Sequence, residues 1–161
     1  MKIHHGLALA ALIVAAAGSV ARAATHPIST DGSDPKTWDP KMDGPIAAPT
    51  SHKVIFENED IRIMSVVVMP GQSEPPHNHT RCSVLVFDQP AKVTDRNKDG
   101  KVLPEPVVLG AIGWAGDNAP KGVPLVWLQP PEATHSITNN DSHPMHLTRI
   151  EMKKGCEAPP K

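Results

Sequence analysis

Eighteen prolines scattered over 161 residues argue against a fold built on long helices, because a proline inside a helix costs about 3 kcal/mol. Between the prolines lie short runs of β-branched and aliphatic residues. Residues 54–56, 61–69, 82–87, 107–109, 123–128 and 145–152 are such runs, and Pro, Gly, Asn and Asp separate them. Pro70-Gly71 stops the longest. Short strands with turn punctuation at this spacing predict an all-β sandwich or barrel.

The first 23 residues read as a targeting segment and not as part of that fold. Lys2 precedes an apolar run from Leu7 to Val20, and Ala21-Arg22-Ala23 follows with small residues at the two positions a signal peptidase reads. This is the order of a secretory signal peptide, with cleavage expected after Ala23. The run is short for a bilayer span, which needs about 20 apolar residues. Residues 24–51, rich in Pro, Asp, Ser, Thr and Gly, read as an extended Pro-rich arm with Trp38 as its one large apolar anchor. Residues 52–153 form the expected β-domain and 154–161 a tail. The Gly- and Pro-rich stretch from Pro104 to Pro124 reads as an excursion between strands, a candidate lid.

The formal net charge of −1, the absence of tyrosine and the lack of any basic stripe exclude a nucleic-acid surface, which needs clustered Lys and Arg and often aromatic platforms. Export would carry Cys82 and Cys156 into an oxidising compartment, where two cysteines permit one disulfide. Two unpaired thiols are the alternative.

Three of the nine histidines carry the functional argument. Residues i and i+2 of a strand share a face, so His77-Asn78-His79 directs two imidazoles the same way. His135, after the turn-like Gln129 to Thr134, is the candidate third ligand from another strand. Three imidazoles on one side of an ion leave positions open for water, oxygen or substrate, a pattern suited to Fe, Mn, Zn, Ni or Cu. His26 and His52 fall in or beside the arm. His143 and His146 flank Pro144-Met145, and a hydrogen-bonded structural role is expected for His146.

Pro70-Gly71, five intervening residues and His77-x-His79 resemble the first conserved motif of the cupin superfamily. Pro130 to His135, with Asn139 after three intervening residues, resembles the second. Residues 56–63 are similar to the opening strand of small single-domain cupins and residues 145–153 to their last. The resemblance covers about residues 52–153. It implies a cupin-like antiparallel β-barrel or jelly roll, a divalent transition metal on His77, His79 and His135, and a small-molecule ligand. A homodimer follows by analogy. In function it implies a metal-dependent dioxygenase or isomerase, with a non-enzymatic small-molecule-binding cupin as the alternative. Three departures bear on this, one being that the final glycine position of the first motif falls near Pro90. The glutamate that many cupins carry four or five residues after the second histidine is replaced by Ser83 or Val84, and the glycine expected in the second motif is Glu132. The four-ligand set is therefore incomplete, leaving a three-histidine site or a barrel without metal.

Glu74 is the acid/base candidate nearest His77, with plain solvation as its alternative; Gln72 shares that loop. Cys82 reads as a buried thiol and Asn139 as a turn-stabilising residue. Arg62 and Arg149 are expected to face solvent; turned inward, either would suit a substrate carboxylate. Asp95 to Gly100 matches the first half of a calcium-binding EF-hand loop, but the position of its bidentate glutamate is Pro106. A polar β-turn explains the segment more simply.

Overall fold

A computed structural model describes residues 29–104 and 124–155. The signal-peptide segment, the strand expected at 107–109, most of the candidate lid and Cys156 lie outside the described residues, and the Cys82–Cys156 pairing lies outside them too. Among the described residues, no helix is long and apolar enough to cross a membrane.

Eight strands follow in order: β1 His52–Glu57, β2 Ile61–Val68, β3 His77–His79, β4 Ser83–Gln89, β5 Val93–Asn97, β6 Leu125–Gln129, β7 Glu132–Asn139 and β8 Met145–Met152. They form a five-stranded antiparallel sheet in the order β1-β2-β8-β4-β6 and a three-stranded sheet in the order β3-β7-β5. The expected all-β, cupin-like antiparallel barrel or jelly roll is thus the architecture. Strands β2 and β8 show why the chain folds this way. Their residues alternate strictly between buried and half-buried, the period-2 pattern of a sheet with one face on the core. At the end of β2 the chain turns through Gly71, whose φ of 72° lies in the left-handed region that glycine adopts without a Cβ clash.

Inward residues of the large sheet meet in register, and their chemistry changes along the strands. Val68 stands opposite Met145 and Val66 opposite Leu147; further along, Met64 stands opposite Arg149 and Arg62 opposite Glu151. On the other side of β8, β4 sets Phe87 against Leu147, Leu85 against Arg149 and Ser83 against Glu151. One end of the barrel interior is therefore apolar, a cluster of Met64, Val66, Val68, Leu85, Phe87, Met145 and Leu147. Each such side chain contributes about 1.5–3 kcal/mol by leaving water. The other end is charged.

The arm coils where an extended path is expected. Asp-Pro-Lys occurs twice, at Asp34-Pro35-Lys36 and Asp39-Pro40-Lys41. Each aspartate side chain accepts from the lysine N–H two residues on, at 3.0 and 2.9 Å, and caps a 3-10 turn, Pro35–Thr37 and Pro40–Met42. Aspartate at the cap and proline just inside are the favoured residues for a helical start. A single α-turn, Gly44–Ala47, follows. Trp38 does not anchor the arm by hydrogen bonding to the barrel: its indole N–H donates to Ser33 at 2.8 Å, within the arm. Ties to the barrel include Thr30, whose N–H donates to Pro131 O and whose hydroxyl accepts from Ala133 N–H, both at 2.9 Å, Asp43, which pairs with Arg62 and bridges to Asn78, and Ser51 O, which accepts from Val67 N–H at 3.0 Å.

Candidate metal centre

Strand β3 is only three residues long, and all three are buried. It pairs with β7 so that His77 stands opposite His135 and His79 opposite Glu132. Two steps along β3 match three along β7, a β-bulge. Without the extra residue, positions 132 and 135 would face opposite sides of the sheet. With it, the carboxylate of Glu132 lies within 4.8 Å of ligand atoms of both His79 and His135. The three histidines expected to act together do come together: ring centroids are 5.1 Å apart for His77 and His79, 4.7 Å for His77 and His135, and 6.0 Å for His79 and His135.

A fourth imidazole joins them. His52, the first residue of β1, has its ring 4.6 Å from His77 and 5.1 Å from His79. Among the described residues, ligand atoms lie within 4.8 Å of one another in three groupings, His52–His77–His79, His79–Glu132–His135 and Asp43–His79–Glu151, which share His79. Sequence reading placed His52 beside the arm and missed it, because it belongs to no motif. Glu132 was visible only as a departure, a carboxylate where a glycine was expected.

Each ring has its Nδ1 beside an acceptor. His77 Nδ1 lies 2.8 Å from Pro75 O, His79 Nδ1 3.0 Å from Glu151, and His135 Nδ1 3.2 Å from Asp95. A carbonyl or carboxylate only accepts, so in these rings Nδ1 donates and Nε2 is left with its lone pair when the ring is neutral. His52 Nδ1 lies 3.3 Å from both Ser51 Oγ and Glu74 Oε1. The Nε2 atoms of His77 and His135 are buried with no hydrogen-bond partner. A buried polar atom left unpaired costs about 1–3 kcal/mol, so two of them facing one space fit a ligated cation. Outer carboxylates and carbonyls that fix the imidazoles are the usual surroundings of a metal ligand.

Electrostatics favour the neutral imidazole at two of the three rings and not at the third. Burial, then the neighbouring His135 and His52, push the His77 pKa down to about 3. Burial and then Arg149 hold His79 well below the usual histidine range. For His135 burial acts downward, but Glu132 and Asp95 outweigh it and the pKa is raised. Burial raises Glu74 and Glu132, yet His52 in the first case and Arg149 in the second bring the net shift below the usual carboxylate range.

Several side chains expected at the surface are inside. Arg62 and Arg149 are each about 5% exposed. Arg62 donates to both oxygens of Asp43, at 2.5 and 2.8 Å, and to Glu151 at 2.8 Å. Glu151, fully buried, is also approached by Arg81 and Arg149. The arginines turn inward because their strands alternate and the buried carboxylates neutralise them. Glu74 is likewise buried rather than solvated, against His52, and neither of its oxygens has a well-aligned hydrogen bond. Gly44 of the arm closes over the centre; a Cβ there would meet His79 Cε1 at 2.6 Å. The EF-hand-like segment is a turn. Asn97 Oδ1 accepts from the N–H groups of Asp99 and Lys101, and Asp95 faces His135. His146 is structural, held by Ser65 and Asp88, and Asn139 ties Val68 O to His143 O.

A cavity of about 920 Å³ opens beside the centre, bordered by the four histidines, Glu74, Glu132 and Arg149, and further in by Leu85, Phe87 and Trp127. Two sequence motifs thus lie on paired strands with their histidines against a barrel cavity. Strand layout and motif placement together resemble those of cupins. Among solved structures the chain is similar to a cupin domain from Bordetella pertussis Tohama I, at 16% identity and a TM-score of 0.46, over 64% of this chain and 92% of that one. It is similar to an RmlC-like cupin family protein with a double-stranded β-helix fold from Methanocaldococcus jannaschii, at 14% identity and a TM-score of 0.42, over 63% and 77%. An RmlC-like cupin protein from Desulfovibrio desulfuricans matches at 17% identity and a TM-score of 0.38, over 65% and 86%. No sequence model of a known family matches the chain. No curated protein matches it.

Proposed function

We propose that this chain is an exported, metal-dependent cupin enzyme acting on a small organic molecule, of the dioxygenase or isomerase class. The observation that carries the reading is the set of buried imidazoles with outer partners on Nδ1, two of whose Nε2 atoms have no partner. His77, His79 and His135 would hold the ion, with His52 or Glu132 available as a further ligand. A divalent transition ion there supplies Lewis acidity and, for Fe, Mn or Cu, redox chemistry. The protein's own part is to orient the rings through Pro75, Glu151 and Asp95 and to enclose the ligand beside the apolar wall. Glu74, ionised and buried against His52, is the candidate proton acceptor.

Metal content after loading with Fe, Mn, Zn, Ni or Cu tests the reading. Wild type should retain about one ion per chain and His79→Ala far less; equal retention by both contradicts it. Export is part of the same proposal, and secreted material whose N-terminus is Ala24 is the expected product.

A second reading, a small-molecule-binding cupin without catalysis, is favoured by one observation. Glu132, a carboxylate grouped with His79 and His135 that could replace the missing glutamate, is already held by Arg149 and by Gln129 at 2.8 Å. Oxygen uptake and product analysis with candidate substrates separate the two, since substrate-dependent turnover excludes a pure binder.

A further inference from the structure

We infer that the cavity takes a small monocarboxylate with an apolar body, its carboxylate on Arg149 beside the histidine centre. This rests on the same cavity being the ligand site and names the class of ligand. Arg149 points inward from β8 with a side chain 5% exposed. Its Nε donates to Ser83 Oγ at 2.9 Å and its Nη1 to Glu132 at 2.5 Å. Nη2 is buried, has no partner, and belongs to a residue that borders the cavity. A guanidinium N–H without an acceptor is costly, and an anionic oxygen is its strongest acceptor.

The surroundings narrow the ligand. Glu74, Asp95, Glu132 and Asp141 border the same cavity, with Lys92 beside Arg149 as its other basic residue among the described ones, so a dianion such as a phosphate monoester would meet four carboxylates for two cationic side chains. A single negative charge fits better. Beyond the arginine the wall is apolar: Leu85, Phe87, Leu125, Trp127 and Leu147, with the Phe87 and Trp127 rings 4.4 Å apart. That wall offers burial to an alkyl or aryl group and no partner to a second charge.

Phenyllactate serves as the probe, with its methyl ester and phenyl phosphate for comparison, titrated calorimetrically into zinc-loaded full-length mature protein. A charge-assisted hydrogen bond lost from a buried site weakens binding roughly 10–100-fold. The ester and the phosphate should therefore bind at least about tenfold more weakly than the acid. Arg149→Lys keeps the charge opposite Glu132 but not the forked donor. It should lose about tenfold for phenyllactate, read only on samples shown by melting and metal analysis to be folded and zinc-loaded. Ester binding as tight as acid, phosphate binding tighter than acid, no saturable binding of phenyllactate, or unchanged affinity in a folded Arg149→Lys each overturns the inference. Zinc content is read on the same samples, so failure of the metal centre is told apart from failure of carboxylate selectivity.

Discussion

The two ends of the barrel interior are built from the same three strands with the same alternation, yet they hold opposite chemistry. Toward one end, β2, β4 and β8 turn in Val66, Val68, Phe87, Met145 and Leu147; toward the other they turn in Arg62, Ser83, Arg149 and Glu151. The apolar end needs no explanation beyond packing, since removing such surface from water stabilises any sheet pair. The charged end is different. Bringing arginines, carboxylates and imidazoles out of water costs several kcal/mol per ion before pairing returns it, and an apolar set of similar volume would serve stability as well or better. Glu151 contacts His79 on one side and Arg62 and Arg149 on the others. The charged end is thus a frame for the imidazoles: it fixes which ring nitrogen faces the cavity.

Substitutions in the two ends should separate stability from metal binding. The largest effect is expected for Glu151→Ala, which leaves Arg62 and Arg149 buried and short of a carboxylate. Urea unfolding should show a loss of about 3–5 kcal/mol, together with reduced metal retention. Leu147→Ala at the apolar end should cost about 2–5 kcal/mol through a cavity with metal stoichiometry unchanged; loss of the ion there would erase the division. Gly44→Ala comes next. The added methyl would overlap His79, so a cost of about 1–3 kcal/mol is expected, and weaker metal binding should accompany it in competition titrations with a chelator. Asp95→Asn should be smallest in stability and visible mainly in affinity, lowering it about 10–100-fold. An unchanged affinity would remove Asp95 from the frame.

The difference between the ends also explains what could be read from the sequence. Strands β2, β4 and β8 carry long β-branched runs and were visible. Strands β5 and β7 were not, because Val-Thr-Asp-Arg-Asn and Glu-Ala-Thr-His-Ser-Ile-Thr-Asn hold mostly polar residues and owe their conformation to pairing with each other. The histidines of β3 and β7 were found because two motifs surround them. His52 comes from the chain just beyond the arm, and only the folding of that arm, with Gly44 against His79, sets it beside them. The repeated Asp-Pro-Lys was a readable sign that the arm coils. The inward turn of Arg62 and Arg149 follows from strand parity, but which parity faces inward depends on Glu151 and Asp43, and charge alone argued for solvent.

The most direct test is a crystal of metal-loaded protein measured at an anomalous absorption edge of the ion. A peak about 2.0–2.2 Å from the Nε2 atoms of His77, His79 and His135 is the predicted result. No peak at these rings under saturating metal, or one seated instead among Asp43, His79 and Glu151, would contradict it.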